Sequence, residues 1–129
     1  MTARPRVLVL GTLDTKGDEF AFLRDELQSA GCEPIVMDLG VLGEPAFAAD
    51  ISREQVVERA GRSLPELASG RLRGAAMEAA IAGGRAIARD LLTEDGLDGV
   101  IAMGGGSGTT IGTTIMEVLP FGFPKLVVT

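Results

Sequence analysis

Residues 100–112 read VIAMGGGSGTTIG, with four glycines, Gly104, Gly105, Gly106 and Gly108, set between an apolar run and a stretch opened by hydroxyl side chains. Glycine leaves its backbone amide unshielded. Amides gathered where a strand hands over to a helix can turn toward an anion with no Cβ in the way. Ser107, Thr109 and Thr110 add hydroxyl donors suited to phosphate oxygens. From Gly104 through Met116 no acidic side chain competes for the positive end of the helix dipole. The chemistry this pattern predicts is phosphate binding. It is not the P-loop pattern, having no Lys-Ser/Thr pair to close it, and it is not a strict G-x-G-x-x-G. The plainer alternative is a close-packed turn in which the glycines admit a tight helix and Ser107 caps it.

A second group follows the first apolar run, in GTLDTKGDE at 11–19. Gly11, Thr12, Asp14, Thr15 and Lys16 crowd one short loop, and Lys16 is one of two lysines in the chain, so its ammonium can meet a phosphate charge. The alternative is that Thr15 or Asp14 caps the next helix, Asp18 and Glu19 favour its N-terminus, and Lys16 is solvated. Asp38 ends the second strand, where nucleotide-binding sheets often keep an acid for ribose hydroxyls, although DLGVLGEP also reads as an ordinary loop start. Asp50 has two readings, a magnesium ligand or the start of a helix, and the second is the simpler. Arg62, Arg71 and Arg73 form a loose basic cluster read as solvated charge. No carboxylate pair has a spacing that assigns a general acid and base. The chain has no histidine, which removes Ser-His-Asp hydrolysis, a Cys-His pair and histidine metal ligands, so catalytic residues stay unassigned and no metal site is expected.

The elements that must position these groups are four short runs rich in Val, Ile and Leu: RVLVL at 6–10, PIVMDL at 34–39, GVIAM at 99–103 and KLVVT at 125–129. Continuous rather than alternating hydrophobicity predicts strands covered on both faces. Between the first two, Phe20, Leu23 and Leu27 recur at helical spacing and Gly31 stands as a stop. Segment 40–71 reads as loop, then a short helix over 52–59 with Ser52 as N-cap, then turns around Pro65 and Gly70. A longer helix is predicted from Leu72 to Leu92, with Ala76, Ala80, Gly83, Ile87 and Leu91 on one side, although Gly83-Gly84 costs helix stability. The last helix is predicted over Ser107–Leu119. Alternating strands and helices predict an α/β fold, a Rossmann-like doubly wound parallel sheet in three layers with about four strands. With strand order 2-1-3-4, the loops after strands one and three share one crevice at the carboxyl edge.

A chain of 129 residues makes one domain. A net charge of −6 offers no positive face to nucleic acid or anionic membrane, so the expected partner is a small-molecule nucleotide. No apolar stretch approaches the roughly 20 residues that span a bilayer, and the start shows no cleavage pattern, which predicts a cytoplasmic protein. The single cysteine, Cys32, reads as a small buried residue.

Together, LVLGTLDTKGDE, DISREQVVERAG, VIAMGGGSGTT and LPFGFPKLVVT resemble the Tm-one-like ATP-binding family, whose bacterial and fungal members were long grouped as an uncharacterised protein family. The resemblance runs over almost the whole chain. It implies an N-terminal Rossmann-like domain that binds ATP, with or without magnesium, with a C-terminal α/β domain missing from this chain, and a homo-dimer. Carried over, GGGSGT nominates Gly105, Gly106, Ser107, Gly108 and Thr109, and GTLDTKG nominates Thr12, Asp14, Thr15 and Lys16. The alternative is the NAD-binding half of an iron-dependent alcohol dehydrogenase or dehydroquinate-synthase-like enzyme, whose pyrophosphate loop GGGS resembles. GTLDTKGDE is not the pattern of those enzymes.

Overall fold

A computed structural model describes residues 4–67 and 73–129, with the Arg73 side chain left out. Four strands, β1 (Arg6–Gly11), β2 (Glu33–Asp38), β3 (Gly99–Met103) and β4 (Lys125–Val128), form one parallel sheet in the order β2-β1-β3-β4. This is the Rossmann-like α/β arrangement that the sequence predicts, with the strand order reversing between β1 and β3.

Helix α1 (Gly17–Ser29) joins β1 to β2 and stops where Gly31 takes a φ of +86°, open to glycine and strained for other residues. It closes one face of the sheet, with Phe20 against Val9, Leu13 and Val36, and Leu23 and Leu27 alongside. The opposite face carries the larger core, in which Leu8, Leu10, Met37, Val100 and Ala102 meet Val56, Ala80, Ala88, Ile111 and Ile115. Those residues belong to helices α2 (Arg53–Arg59), α4 (Arg73–Asp90) and α5 (Gly106–Met116). Crossovers that run one way from β1 and the other way toward β4 put helices on both faces because each is right-handed.

Helix α2 begins as predicted. The Ser52 side chain accepts from the Gln55 amide and the Gln55 side chain accepts from the Ser52 amide, a reciprocal capping box. RSLPELASG departs from its turn reading, because Leu64–Leu67 makes a single helical turn, α3. Pro65 sits in that first turn, where a missing N–H costs nothing. The predicted start at Leu72, the turn at Gly70, and Arg71 lie outside the described residues. Helix α4 gives way after Asp90 to one wider π-helical turn, Leu91–Asp95, and α5 starts one residue before Ser107 and ends three before Leu119. Strand β4 is exposed at every residue, against the expectation of cover on both faces. Cys32 is only part-buried.

Candidate functional site

The glycine turn divides into two kinds of glycine. Gly104 belongs to the packing: its amide donates to the Val128 carbonyl at 3.1 Å, and a Cβ there would meet the Gly108 backbone at 2.9 Å. Gly105, the N-cap of α5, and Gly106, its first residue, are different. A Cβ on either meets nothing within 4 Å, and neither has a positive φ. Crowding by the described residues does not call for glycine at either position. The amides of Gly105, Gly106, Ser107 and Gly108 donate to no group among the described residues; the first amide bonded in the helix direction is that of Thr109, to the Gly105 carbonyl at 3.2 Å. No acidic side chain stands in the first turn of α5 and no side chain caps it.

The hydroxyls separate in the same way. Ser107 lines open space in front of the turn. Thr109 Oγ1 instead donates to the Gly104 carbonyl at 3.1 Å and meets Thr129 Oγ1 at 3.0 Å, and Thr110 Oγ1 donates to the Gly106 carbonyl at 3.0 Å. Both threonines are turned back onto their own backbone, as helical threonines commonly are. They support the turn without lining the crevice.

The loop after β1 is a tight turn in which the amides of Thr15 and Lys16 both donate to the Thr12 carbonyl, at 3.4 and 3.0 Å, while the Thr12 and Thr15 hydroxyls meet at 2.6 Å. Lys16 is the N-cap position of α1 but makes no side-chain cap. Gly11 is withdrawn behind it: a Cβ there would fall 1.7 Å from the Phe20 ring, and its carbonyl accepts from Leu39. Its glycine is demanded by packing on α1.

Between the two loops lies a cleft of about 450 Å³, within the range of small-molecule sites. One part is lined by Thr12, Asp14, Thr15 and Lys16 and by Gly105 through Gly108, which brings together eight of the thirteen predicted residues. The rest of the wall was not predicted: Leu39, Gly40, Val41 and Leu42 after β2, and Gly74, Ala76 and Met77 at the start of α4, with Ile111 of α5. Small residues in the DLGVLG loop and beside the Gly74-Ala75-Ala76 run were the available signal, and it is a weak one.

Asp38 stands at the end of β2 as predicted, yet the structure corrects its role. It is 2% exposed, and its Oδ1 accepts from the amides of Leu13 at 3.2 Å and Gly40 at 2.9 Å, so it ties two loops together behind the cleft and does not line it. Burial pushes its carboxyl above the usual carboxylate range, against the lowering effect of the Gly40 and Leu13 amides; nearby Asp14 adds to the rise and Arg53 opposes it. Asp14 shows the mirror arrangement, its Oδ2 accepting from Leu42 at 2.9 Å and Gly43 at 3.1 Å while Oδ1 is buried without a partner. Asp50 does not begin α2, whose N-cap is Ser52; its Oδ2 accepts from the Val36 amide at 2.8 Å, at the free edge of β2. Arg62 pairs with Glu66 one helical turn away, which holds the Glu66 carboxyl below its usual range. The Arg73 side chain lies outside what is described. Among the described residues no helix is long and apolar enough to cross a membrane, and no cluster of three potential metal-ligating side chains occurs.

Residues 5–129 match the family described as Uncharacterised protein family (UPF0261) N-terminal domain. A UPF0261 protein of Clostridium tetani is 41% identical over 123 residues, covering 95% of this chain and 30% of its own length. One of Brucella suis is 37% identical over 127 residues, covering 98% and 30%, and one of Rhizobium meliloti is 41% identical over 123 residues, covering 95% and 30%. The chain thus spans about 30% of the length of the curated relatives it matches. These matches overturn the resemblance to a Tm-one-like ATP-binding family. The family found is the uncharacterised one, and neither its description nor the relatives' names mention ATP. An ATP-binding character taken from that resemblance falls with it, and a nucleotide can be argued only from the cleft itself.

Proposed function

We propose that this chain, which belongs to the UPF0261 family as its N-terminal domain, binds a nucleotide by its phosphates in the crevice between the 12–16 loop and the glycine turn. The observation that carries this reading is the set of four amides at the start of α5 that donate to no group among the described residues, two of them on glycines that no described residue crowds. Such amides at the positive end of a helix are a natural anion cradle. Lys16 on the neighbouring loop adds a formal charge, and the Ser107, Thr12 and Thr15 hydroxyls add donors. A triphosphate makes the fullest use of donors spread over two loops, so ATP, with magnesium or without, is the favoured ligand. Magnesium would have to arrive with the nucleotide, since no metal-ligating cluster stands among the described residues. No reaction is assigned. A cytoplasmic location, and a contribution to the site from the remaining length that the relatives carry, go with this reading.

Ligand-dependent melting of the 1–129 chain tests it, with ATP·Mg²⁺, ADP and NAD⁺ in parallel. A ligand held at about 100 times its Kd adds about 2.7 kcal/mol to the stability of the folded state. ATP is expected to raise the midpoint most; a larger rise with NAD⁺ overturns the choice in favour of a dinucleotide. Gly106→Val is the structural control. A Cβ added there meets no described neighbour within 4 Å, so the variant is expected to fold, and its valine to block the approach of phosphate to the amides. Unchanged stabilisation by ATP in Gly106→Val places the ligand elsewhere.

A further inference from the structure

The carboxyl edge of the sheet sets three loops in a row. Because the strand order is β2-β1-β3-β4, the 39–43 loop after β2 stands on one side of the 12–16 loop and the glycine turn after β3 on the other. Adjacent strands lie about 4.8 Å apart, so the outer two loops are separated by roughly 10 Å, within the reach of one nucleotide. The two ends of this row differ in chemistry. The β3 end offers open amides. The β2 end contributes Leu39, Val41 and Leu42 to the cleft and not one charged side chain.

Between them sits an acid whose presence in an anion-binding loop needs a reason. An Asp14 carboxylate free to meet phosphates would repel them. Instead its Oδ2 is engaged by the Leu42 and Gly43 amides, and its Oδ1 is buried beside Gly40, where an added Cβ would come within 2.4 Å of it. The Arg53 guanidinium donates to the Gly43 carbonyl from behind. Asp38 completes the stitching by holding Leu13 and Gly40 with one oxygen. Hydrogen bonds from amides to a charged acceptor are among the stronger ones, and a loop fixed at Gly40, Leu42 and Gly43 presents Val41 and Leu42 to the cleft as a set wall.

We propose that Asp14 is a positioning residue: it holds the 39–43 loop as the wall on which the flat, apolar part of the ligand, the nucleoside base, lies, and it makes no contact with the phosphates. This rests on the nucleotide-binding reading above and adds to it a division of labour, with the β3 turn binding phosphate and the β2 loop selecting what the phosphate is attached to.

The test compares ATP with inorganic tripolyphosphate, which carries the phosphates and no nucleoside, on the 1–129 chain and on Asp14→Ala, Asp14→Asn and Gly40→Ala. Affinities are read by calorimetry, and the ligand-free proteins are followed by amide hydrogen exchange at Leu42 and Gly43. In Asp14→Ala both amides are expected to lose protection, ATP to weaken by about tenfold or more, and tripolyphosphate to stay within about twofold. Asp14→Asn keeps one carbonyl oxygen for the two amides and should restore protection and the preference for ATP. Gly40→Ala pushes the carboxylate away and should reproduce the Asp14→Ala split if that variant folds poorly. Equal weakening of ATP and tripolyphosphate overturns the proposal by putting Asp14 at the phosphate end. Unprotected Leu42 and Gly43 amides in the unaltered chain overturn the strut itself, and raised exchange with unchanged ATP affinity overturns the wall. Failure of the unaltered chain to bind either probe overturns the nucleotide reading and the ligand half of this proposal, while the exchange result still decides the strut.

Discussion

At Asp38 the cost of burial and the benefit of hydrogen bonding act on the same atom. Its carboxylate is taken out of water beside a second acid, Asp14, and is only partly compensated by two amides and by Arg53. Because the folded-state value is raised above the ordinary 3.8, the folded chain holds its proton over a window in which the unfolded chain has released it. Stability therefore falls as pH rises through that window, and the loss is complete above the folded-state value. Asp38→Asn keeps an oxygen for Leu13 and Gly40 and carries no charge. Its melting temperature should equal that of the unaltered chain well below pH 3.8, where folded and unfolded Asp38 are both protonated, and exceed it by a margin that grows through that window and is constant above it. A variant that loses ground as pH rises would mean that attraction to Arg53 outweighs desolvation. ATP stabilisation should be unchanged in the variant, since Asp38 lies behind the cleft. The same residue shows how far single letters can be read. A glycine placed for packing, such as Gly11 against Phe20 or Gly104 against Gly108, is written identically to one left bare for a ligand. A helical threonine does not announce that its hydroxyl bonds back to its own backbone. Types and spacing located the two loops, whereas the burial that sorts their members depends on residues far away in the chain.

Among the elements, α4 turns an apparent weakness into a packing device. Two consecutive glycines inside a helix cost about 1 kcal/mol each relative to alanine. In the fold they open two different faces: a Cβ on Gly83 would lie 1.8 Å from the Val56 carbonyl of α2, and one on Gly84 would lie 2.4 Å from Ile115 Cδ1 of α5. Gly83→Ala meets backbone, which must shift as a unit. We expect it to lower unfolding stability by about 2–3 kcal/mol despite the gain in helix propensity, as overpacking does elsewhere. Gly84→Ala meets the end of a flexible side chain and should cost about 1 kcal/mol or less. Urea denaturation of both variants checks the order; a more stable Gly83→Ala would mean that α2 and α4 can separate freely. The strands and their order were legible because continuous apolar runs separated by helical periods leave few parallel topologies. Segment 40–71 was less so. Its one-turn helix is too short for periodicity, and the pairing of Ile51 with Met37, with Asp50 on the Val36 amide, is a contact with a strand already passed. That contact closes one border of the sheet and leaves no local trace.

The molecule as a whole is finished on one side and open on the other. The β2 border is covered by residues 50–51, whereas at the β4 border Leu126, Val127 and Val128 are 54%, 38% and 45% exposed. On the α1 side Leu126 and Val128 continue the row of Ile101 and Met103, their partners in register, beyond the reach of the Phe20 and Leu27 packing. The hydrophobic pattern of KLVVT calls for cover that the described residues do not supply, and the curated relatives are about three times as long, with further chain available to such an edge. An uncovered apolar edge strand is a template for pairing. In the 1–129 chain alone the strand available to pair with it is another copy of itself. Sedimentation velocity at rising concentration should therefore show reversible self-association. Leu126→Lys, a charge on the exposed edge, should abolish it while shifting unfolding stability by no more than about 0.5 kcal/mol, because so exposed a side chain contributes little to the core. A chain that remains monomeric at every concentration would show that the four residues of β4 are too short to template a partner strand. An association that survives Leu126→Lys would move the contact to another surface, with Phe121 and Phe22, both largely exposed, the next positions to charge.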